Sequence, residues 1–216
     1  MVKKSEIVCM RKDFGIDPPQ SFYDNIPYPP AWSLVRNRLA GKKILDIGAC
    51  TGWVSWLARK EGGIVISTDI FYQHPSGVGL QRVVCDKEML PFRSQSFDYI
   101  LTANTLHHGD LERTAQEARR VLRDAGELVS FEEPCISSEL NENEYMIKHC
   151  RAELDLGIDE RRPNLIKYLT ALSIFKKVRF YTLPWSIFAV PCTAGVIQDI
   201  SSYKSYTGGI AVQAGV

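Results

Sequence analysis

Short apolar runs alternate with longer amphipathic stretches over the first two thirds of the chain. The run Lys43 to Ile47 is apolar and β-branched with charge just before it, which predicts a buried parallel strand. Similar runs predict four further strands, over 64–69, 82–86, 97–103 and 127–132. Between them, apolar residues at helical spacing predict helices over 53–61 and 110–126. This alternation favours a parallel sheet covered by helices on both faces.

The last third of the chain is less regular. A capping box predicts a helix over 141–157, and a second helix is predicted over 165–173. Two further runs, 177–183 and 208–214, are predicted strands. Residues 184–207 would then be a long connection, which in a compact domain is usually functional or a lid.

Composition sets the broad class of protein. The 216 residues include 45% apolar and 24% charged residues, as in one ordinary globular domain. The net charge of +1 does not indicate a basic surface for binding nucleic acid. We see no secretory signal, and the apolar run 186–197 is interrupted by Pro191 and too short to span a bilayer. Six scattered cysteines indicate reduced thiols, and therefore a cytoplasmic location.

The residues that follow the first strand are all small. They are Gly48, Ala49, Cys50, Thr51 and Gly52. Such a turn before a helix suits a nucleotide-like ligand, because the backbone approaches it closely and the free N–H groups of the helix start point at it. Asp46 places a carboxylate just ahead of the turn. It would repel a pyrophosphate and favour a ligand that carries an amine and a sulfonium.

The stretch Asp46 to Gly52 resembles motif I of the S-adenosylmethionine-dependent methyltransferases with a Rossmann-like fold, with Cys50 where the commonest form has glycine. The run from Asp86 through Leu90-Pro91-Phe92 to Asp98 is similar to the branch often called type 11. This resemblance implies a three-layer α/β/α sandwich. Its seven-stranded, mostly parallel sheet would have the order 3-2-1-4-5-7-6, with the last strand antiparallel. It also implies a methyltransferase that uses S-adenosyl-L-methionine.

The resemblance divides the chain into an N-terminal segment over 1–40, which consists of an arm and a short predicted helix over 31–39, and a cofactor-binding domain over 41–216. Prolines in the arm exclude a long helix, and its aromatic residues require a surface to pack on. In relatives of this kind the segment before motif I often covers the active site. A simple strap over the core is the alternative.

Acidic residues close the second and third strands. Asp69 lies 21 residues after Gly48, the spacing at which a carboxylate binds both hydroxyls of a ribose. Nicotinamide-dependent dehydrogenases share that geometry, so Asp69 alone does not separate the two classes. By the resemblance, the Asp86 carboxylate accepts the adenine amino group. Ile70 and Lys87 complete the predicted cofactor site on this side.

A polar loop follows the fourth strand, where open parallel sheets bind ligands. By the family pattern, Asn104 is the candidate contact to the methionine moiety. His107 or His108 could act as a general base, because an imidazole with a pKa near ~6.5 accepts a proton at neutral pH. The family pattern favours His108. The alternative is that one His anchors the loop and the other is incidental.

The fifth strand ends in Glu132 and Glu133, which face either the substrate pocket or solvent. Two missing sequence motifs narrow the class of methyl acceptor. The chain lacks the Asn/Asp-Pro-Pro-Tyr signature of enzymes that methylate nucleobase amino groups. It also lacks the Asp-Asp-Asn set of catechol-type enzymes, so we expect no metal. We expect a small-molecule acceptor and no membrane partner; the oligomeric state is not predicted.

Two other functions compete with methyl transfer. The first is a methyltransferase fold that keeps the ligand site but serves as a regulatory or binding module. The second is an NAD-dependent oxidoreductase, which is disfavoured by Asp46, by Cys50 and by the absence of a Tyr-x-x-x-Lys set.

Overall fold

A computed structural model describes residues 20–26, 28–70, 80–155, 159–183, 199–201, 206 and 208–216. Its seven strands are β1 (Lys43–Ile47), β2 (Ile64–Asp69), β3 (Gln81–Val84), β4 (Phe97–Ala103), β5 (Leu122–Cys135), β6 (Lys177–Thr182) and β7 (Gly208–Gly215). Its helices are α1 (Gln20–Asp24), α2 (Trp53–Lys60), α3 (Leu111–Val121), α4 (Glu142–His149), α5 (Arg151–Asp155) and α6 (Leu165–Ala171). Two 3₁₀ turns cover Pro30–Leu34 and Leu172–Ile174.

The strands form one sheet in the order β3-β2-β1-β4-β5-β7-β6. Strands β1 to β5 pair in parallel, and β7 is antiparallel to both of its neighbours. The predicted fold class and strand order are therefore confirmed. The order reverses between β1 and β4, so the crevice at their carboxyl ends is where a sheet of this kind binds a ligand.

Two apolar clusters enclose the sheet, one on each face. The pleat of β1 divides its side chains between them: Leu45 and Ile47 belong to one cluster and Ile44 to the other. Trp32, from the segment before β1, is 1% exposed and stacks on Phe131 of β5 with ring centroids 5.4 Å apart. Burial on both faces is what makes β1 a continuous apolar run.

The third helix ends earlier than its sequence pattern predicts. It was expected to continue to Gly126, but α3 ends at Val121 and the chain passes directly into β5. Leu122 is fully buried and pairs with Phe97 of β4, so strand pairing overrides the helical propensity of the next residues.

Three other predicted helices have shorter bounds. The 31–39 helix is a 3₁₀ turn over Pro30–Leu34. The helix predicted to run to Gly157 is split by Cys150 into α4 and α5, and residues 156–158 lie outside the described part. The helix over 165–173 is α6 followed by a 3₁₀ turn.

Part of the predicted N-terminal arm contacts the turn after β1. The Tyr23 hydroxyl donates to the Thr51 carbonyl at 2.7 Å, and the Tyr23 ring lies 5.7 Å from that of Trp56. Residues 1–19, and nearly all of the 184–207 connection, fall outside the described ranges, so the predictions for them stay predictions. Within the described ranges, no helix has the length and apolarity needed to cross a membrane. The cysteines in those ranges are free thiols.

The start of α3 offers a test of the fold. Asp110 is its N-cap, with Oδ1 accepting the Arg113 N–H at 3.0 Å. Asp110→Ala should lower the free energy of unfolding by ~1 kcal/mol and the melting temperature by ~2–4 °C, because an N–H at the helix start loses its acceptor. Chemical denaturation would measure the change. Asp124→Ala, which alters an exposed carboxylate after the helix, should leave stability within ~0.5 kcal/mol; equal losses in both variants would contradict the capping role.

Candidate active site

The turn between β1 and α2 takes an unusual backbone path. Gly48, Cys50 and Gly52 all have positive φ, of 67°, 45° and 82°. A Cβ on Gly48 would lie 2.3 Å from Thr105 Cγ2, so the turn lies against the loop after β4 at a distance only glycine permits. Cys50 adopts a conformation that L-residues with side chains rarely take, and such strain is concentrated at functional sites.

Asp46 is the buried acid under this turn. Its side chain is 1% exposed; Oδ2 accepts the Ser55 hydroxyl at 2.5 Å, and Ser55 in turn contacts the Ser67 hydroxyl at 2.6 Å. Oδ1 has no hydrogen-bond partner among the described residues. Burial raises the pKa of Asp46 to about 7, against the lowering effects of Ser55 and Arg82. A buried carboxylate oxygen without a donor is incomplete until a cationic ligand or water reaches it.

Asp69, at the end of β2, fixes the turn from the neighbouring strand. Its Oδ2 accepts the Cys50 N–H at 2.8 Å, while Arg82 of β3 donates to the Cys50 carbonyl at 2.7 Å. Neither Arg82 nor Ser55 is predicted from the sequence, since each acts through contacts that only the fold brings about: Arg82 from β3 to the turn, and Ser55 from α2 to β1 and β2.

The other predicted cofactor residues on this side differ in exposure. Asp86 is exposed just after β3, and its Oδ1 accepts the Glu88 N–H at 2.9 Å. Ile70 is 38% exposed. The Lys87 ammonium donates to the His108 carbonyl at 2.6 Å, which directs it toward the histidine loop. The fold therefore brings Asp46, Asp69 and the turn together and leaves Asp86 at the rim.

The loop after β4 is organised around Glu133, which is fully buried on β5. Its carboxylate accepts the backbone N–H groups of Thr105, Leu106 and His107 at 3.0 to 3.3 Å, the Ser130 hydroxyl at 2.5 Å and His107 Nδ1 at 2.8 Å. Burial alone would raise the pKa of Glu133, but these donors, led by His107, lower it to about 2. From the sequence, Glu133 was expected to face either the substrate pocket or solvent. Neither alternative describes its side chain, which holds the loop after β4 in place.

The two histidines occupy different environments. The side chain of His107 is fully buried, whereas that of His108 is 36% exposed. Burial lowers the pKa of both imidazoles, and in His108 the neighbouring His107 lowers it further. Both rings are therefore neutral at pH 7. Asn104, which precedes them, has a positive φ of 50° and an Oδ1 without a partner among the described residues.

Glu132 lies beside Asn104 at the end of β5. The β5–β7 register shifts between Ser130 and Glu133, and Glu132 within that shift has a φ of 62°. Burial, followed by the charge of Glu133, raises the pKa of Glu132. Positive φ values at residues 48, 50, 104 and 132 thus occur where the chain leaves β1 and β4 and near the end of β5.

Comparison with known proteins agrees with this geometry. Residues 45–130 match the family described as "Methyltransferase domain", in the type 11 group. The match covers less than half of the chain, and it shows that this part is similar to the type 11 methyltransferases, whose cofactor is S-adenosylmethionine. The strand order agrees with their fold.

Individual relatives are distant. The chain is 33% identical over 87 residues to the uncharacterised protein MJ1252 of Methanocaldococcus jannaschii, which covers 40% of this chain and 35% of that protein. It is 30% identical over 128 residues to probable tRNA methyltransferase 9B of Mus musculus, covering 51% of this chain and 28% of that protein. The chain thus spans about a third of the length of these curated relatives.

Among solved structures, geranyl diphosphate C-methyltransferase of Streptomyces coelicolor is similar with a TM-score of 0.62 and 15% identity. The likeness covers 86% of this chain and 78% of that one. That structure holds Mg²⁺, geranyl diphosphate and S-adenosyl-L-homocysteine. At this identity the likeness establishes the fold alone.

The close approach at Gly48 can be tested against a glycine of nearly the same conformation. Gly41 has a φ of 70°, and a Cβ there would meet nothing within 4 Å. Gly41→Ala should cost only the left-handed strain, ~1–2 kcal/mol, whereas Gly48→Ala should cost ~1–3 kcal/mol more because Thr105 must move. Chemical denaturation of both variants measures the difference. Equal losses would mean that the two loops are not in contact.

Proposed function

We propose that this protein transfers the methyl group of S-adenosylmethionine to a small-molecule acceptor. The observation that carries the proposal is the unpartnered Oδ1 of buried Asp46, directly under a turn whose backbone permits close approach. The Asp46 oxygen suits the positive charge of the donor's amino group or sulfonium. The turn over 48–52 would hold the methionine part, with Asn104 as a further polar contact from β4.

We assign the nucleoside part to the neighbouring strand ends. Asp69 would bind the ribose hydroxyls. Asp86 at the rim would accept the adenine amino group, and Ile70 offers an exposed apolar surface beside it. The side chain of Lys87 is the weakest member of this set, because its ammonium is directed at the His108 carbonyl.

In the proposed reaction, the acceptor's lone pair forms a bond to the methyl carbon while the S–CH₃ bond breaks and its electron pair returns to sulfur. The sulfonium already makes the methyl electrophilic, so the protein chiefly orients the reactants and excludes water. The partly exposed His108 stays the predicted base for any proton that the acceptor must lose, but burial lowers its pKa to about 3, which makes it a weak base at neutral pH. His107, enclosed by Glu133, would position the loop.

A thermal-unfolding experiment separates this function from its rivals. S-adenosylmethionine at a hundredfold its dissociation constant should stabilise the protein by ~2.7 kcal/mol, or ~5–10 °C, and NAD should not. Asp69→Asn should remove most of the shift, while Asp124→Ala should keep it. A shift with NAD alone would overturn the proposal.

Turnover is tested separately from binding. When the protein is incubated with a metabolite extract and S-adenosylmethionine labelled in its methyl group, tritium should appear in small molecules of the extract. Binding without any transfer would favour the regulatory or binding module. Transfer only to tRNA, the substrate in the name of the murine relative, would contradict the small-molecule acceptor while leaving methyl transfer intact.

The pKa of Asp46 predicts a pH dependence of cofactor affinity. Because burial raises this pKa to about 7, the carboxylate that attracts a cation is mostly formed at pH 8 and mostly lost at pH 6. If only the ionised form binds well, affinity for S-adenosylmethionine should fall about tenfold over that range. Calorimetry in two buffers of different ionisation enthalpy should also detect proton release on binding.

Asp46→Asn is the matched control for this pH effect. It keeps the size of the side chain and cannot ionise, so its affinity should be lower at pH 8 and nearly independent of pH. An unchanged pH profile in that variant would assign the effect to another titrating group and contradict this role of Asp46.

A further inference from the structure

A second cluster of ligating side chains lies beyond the histidine loop, where the segment after α5 meets it. His107 Nε2 is 3.3 Å from Glu160 Oε1, and His108 Nδ1 is 3.4 Å from Glu160 Oε2. The two imidazole rings are 4.1 Å apart, and the three ligand atoms all lie within 4.8 Å of one another. Glu160 is only 9% exposed at its side chain.

The hydrogen bonding of His107 leaves one atom unexplained. Its Nδ1 faces the Glu133 carboxylate, which can only accept, so Nδ1 carries the proton and Nε2 of the neutral ring presents a lone pair. That lone pair has no hydrogen-bond partner and points at a second carboxylate, from Glu160. Two acceptors that face each other in a buried site repel unless a cation lies between them.

The separations match those of ligands around a shared ion. Metal–nitrogen and metal–oxygen distances of ~2.0–2.2 Å at tetrahedral angles place neighbouring ligand atoms ~3.3–3.5 Å apart. The Glu133 carboxylate on the other ring nitrogen of His107 is the usual outer partner of a metal-bound histidine, which fixes the tautomer and the ring orientation. We propose that His107, His108 and Glu160 bind a divalent transition-metal ion.

The ligand types favour zinc or a similar ion over magnesium. Two imidazoles and one carboxylate suit Zn²⁺, Fe²⁺ or Co²⁺, whereas Mg²⁺ prefers an all-oxygen set. Three protein ligands leave a coordination position free, as catalytic zinc sites do. The prediction of no metal rests on the missing Asp-Asp-Asn set, whereas this cluster combines two histidines with a carboxylate that only the fold brings to them.

The cations next to the cluster leave room for a metal. The Lys87 ammonium donates to the His108 carbonyl at 2.6 Å, away from the ring nitrogens. The Arg162 guanidinium pairs with Glu160 Oε1, whereas Oε2 is the oxygen that faces His108. Glu160 therefore faces His108 with Oε2, and Oε1, which faces His107, is shared between the ion and Arg162. His108 Nδ1 donates to the Asp159 carbonyl at 3.2 Å, so binding of the ion at Nδ1 requires the neutral ring to carry its proton on Nε2.

The cluster has a route to solvent. An open groove of about 660 Å³, lined in part by His107, Asp159, Arg161 and Ile166, reaches it from the side of α3 and α6. An ion could enter through this groove, and a ligand in the groove could occupy the free coordination position. Metal binding at this site does not depend on S-adenosylmethionine binding at the turn after β1.

The test is metal titration of the purified full chain after chelator treatment. Calorimetry with Zn²⁺ should give one site per chain, and Co²⁺ should produce the visible absorption bands of a tetrahedral complex. Glu160→Gln and His108→Ala should each weaken binding at least tenfold. Glu133→Gln, which removes the carboxylate partner of His107 and weakens the acceptor that holds the loop, should weaken it ~10–100-fold. Near-ultraviolet circular dichroism must first show that each variant is folded.

His149→Ala is the matched control, because His149 is exposed on α4 and is not part of the cluster. It should bind zinc as the wild type does. Failure of the wild type to bind zinc or cobalt would overturn the proposal and assign the 3.3 Å contact to an imidazolium between two carboxylates. Binding lost in His149→Ala but kept in the Glu160 and His108 variants would overturn it as well. Retained thermal stabilisation by S-adenosylmethionine in these variants would separate either failure from that of the proposed function.

Discussion

The carboxyl ends of four adjacent parallel strands lie at one edge of the sheet. The chain must leave each strand there without filling the space beyond the strand ends. It does so through residues with positive φ: Gly48 and Cys50 after β1, Asn104 after β4 and Glu132 near the end of β5. Each turns the backbone sharply away from the strand direction and leaves a crevice between the loops. The position of every candidate binding group depends on these exits, because the side chains that hold the loops come from the neighbouring strands.

Two fully buried carboxylates at this edge have opposite electrostatics. Asp46 receives its side-chain hydrogen bond from Ser55, and burial raises its pKa to about 7. Glu133 receives donors from three backbone N–H groups, a hydroxyl and an imidazole, which outweigh burial and lower its pKa to about 2. Since an unpartnered buried charge is costly, we propose that Asp46 is completed by a ligand, whereas Glu133 is complete within the protein. On this proposal the first is a binding group and the second a structural one.

Much of this arrangement can be predicted from the sequence because it is local. The apolar runs of β1, β2 and β4, the small turn after Asp46 and the acid at the end of β2 are each contained in a few consecutive residues. The strand order came from the family resemblance. Contacts between distant segments were not predictable: Glu160 approaches His108 across 51 intervening residues, and Arg82 reaches Cys50 from another strand. The orientation of Glu133 depends on the register shift in β5, and no pattern of residues in the sequence predicts that shift.

The central claim is that the turn after β1 and the ends of β1 and β2 form the cofactor site, and the most direct test is a crystal structure of the protein with S-adenosylhomocysteine. We expect the amino group of the ligand near Asp46 and its ribose hydroxyls on Asp69, with the turn over 48–52 against the methionine part. Density for the ligand in another crevice, or a turn that closes over Asp46 without it, would contradict the account.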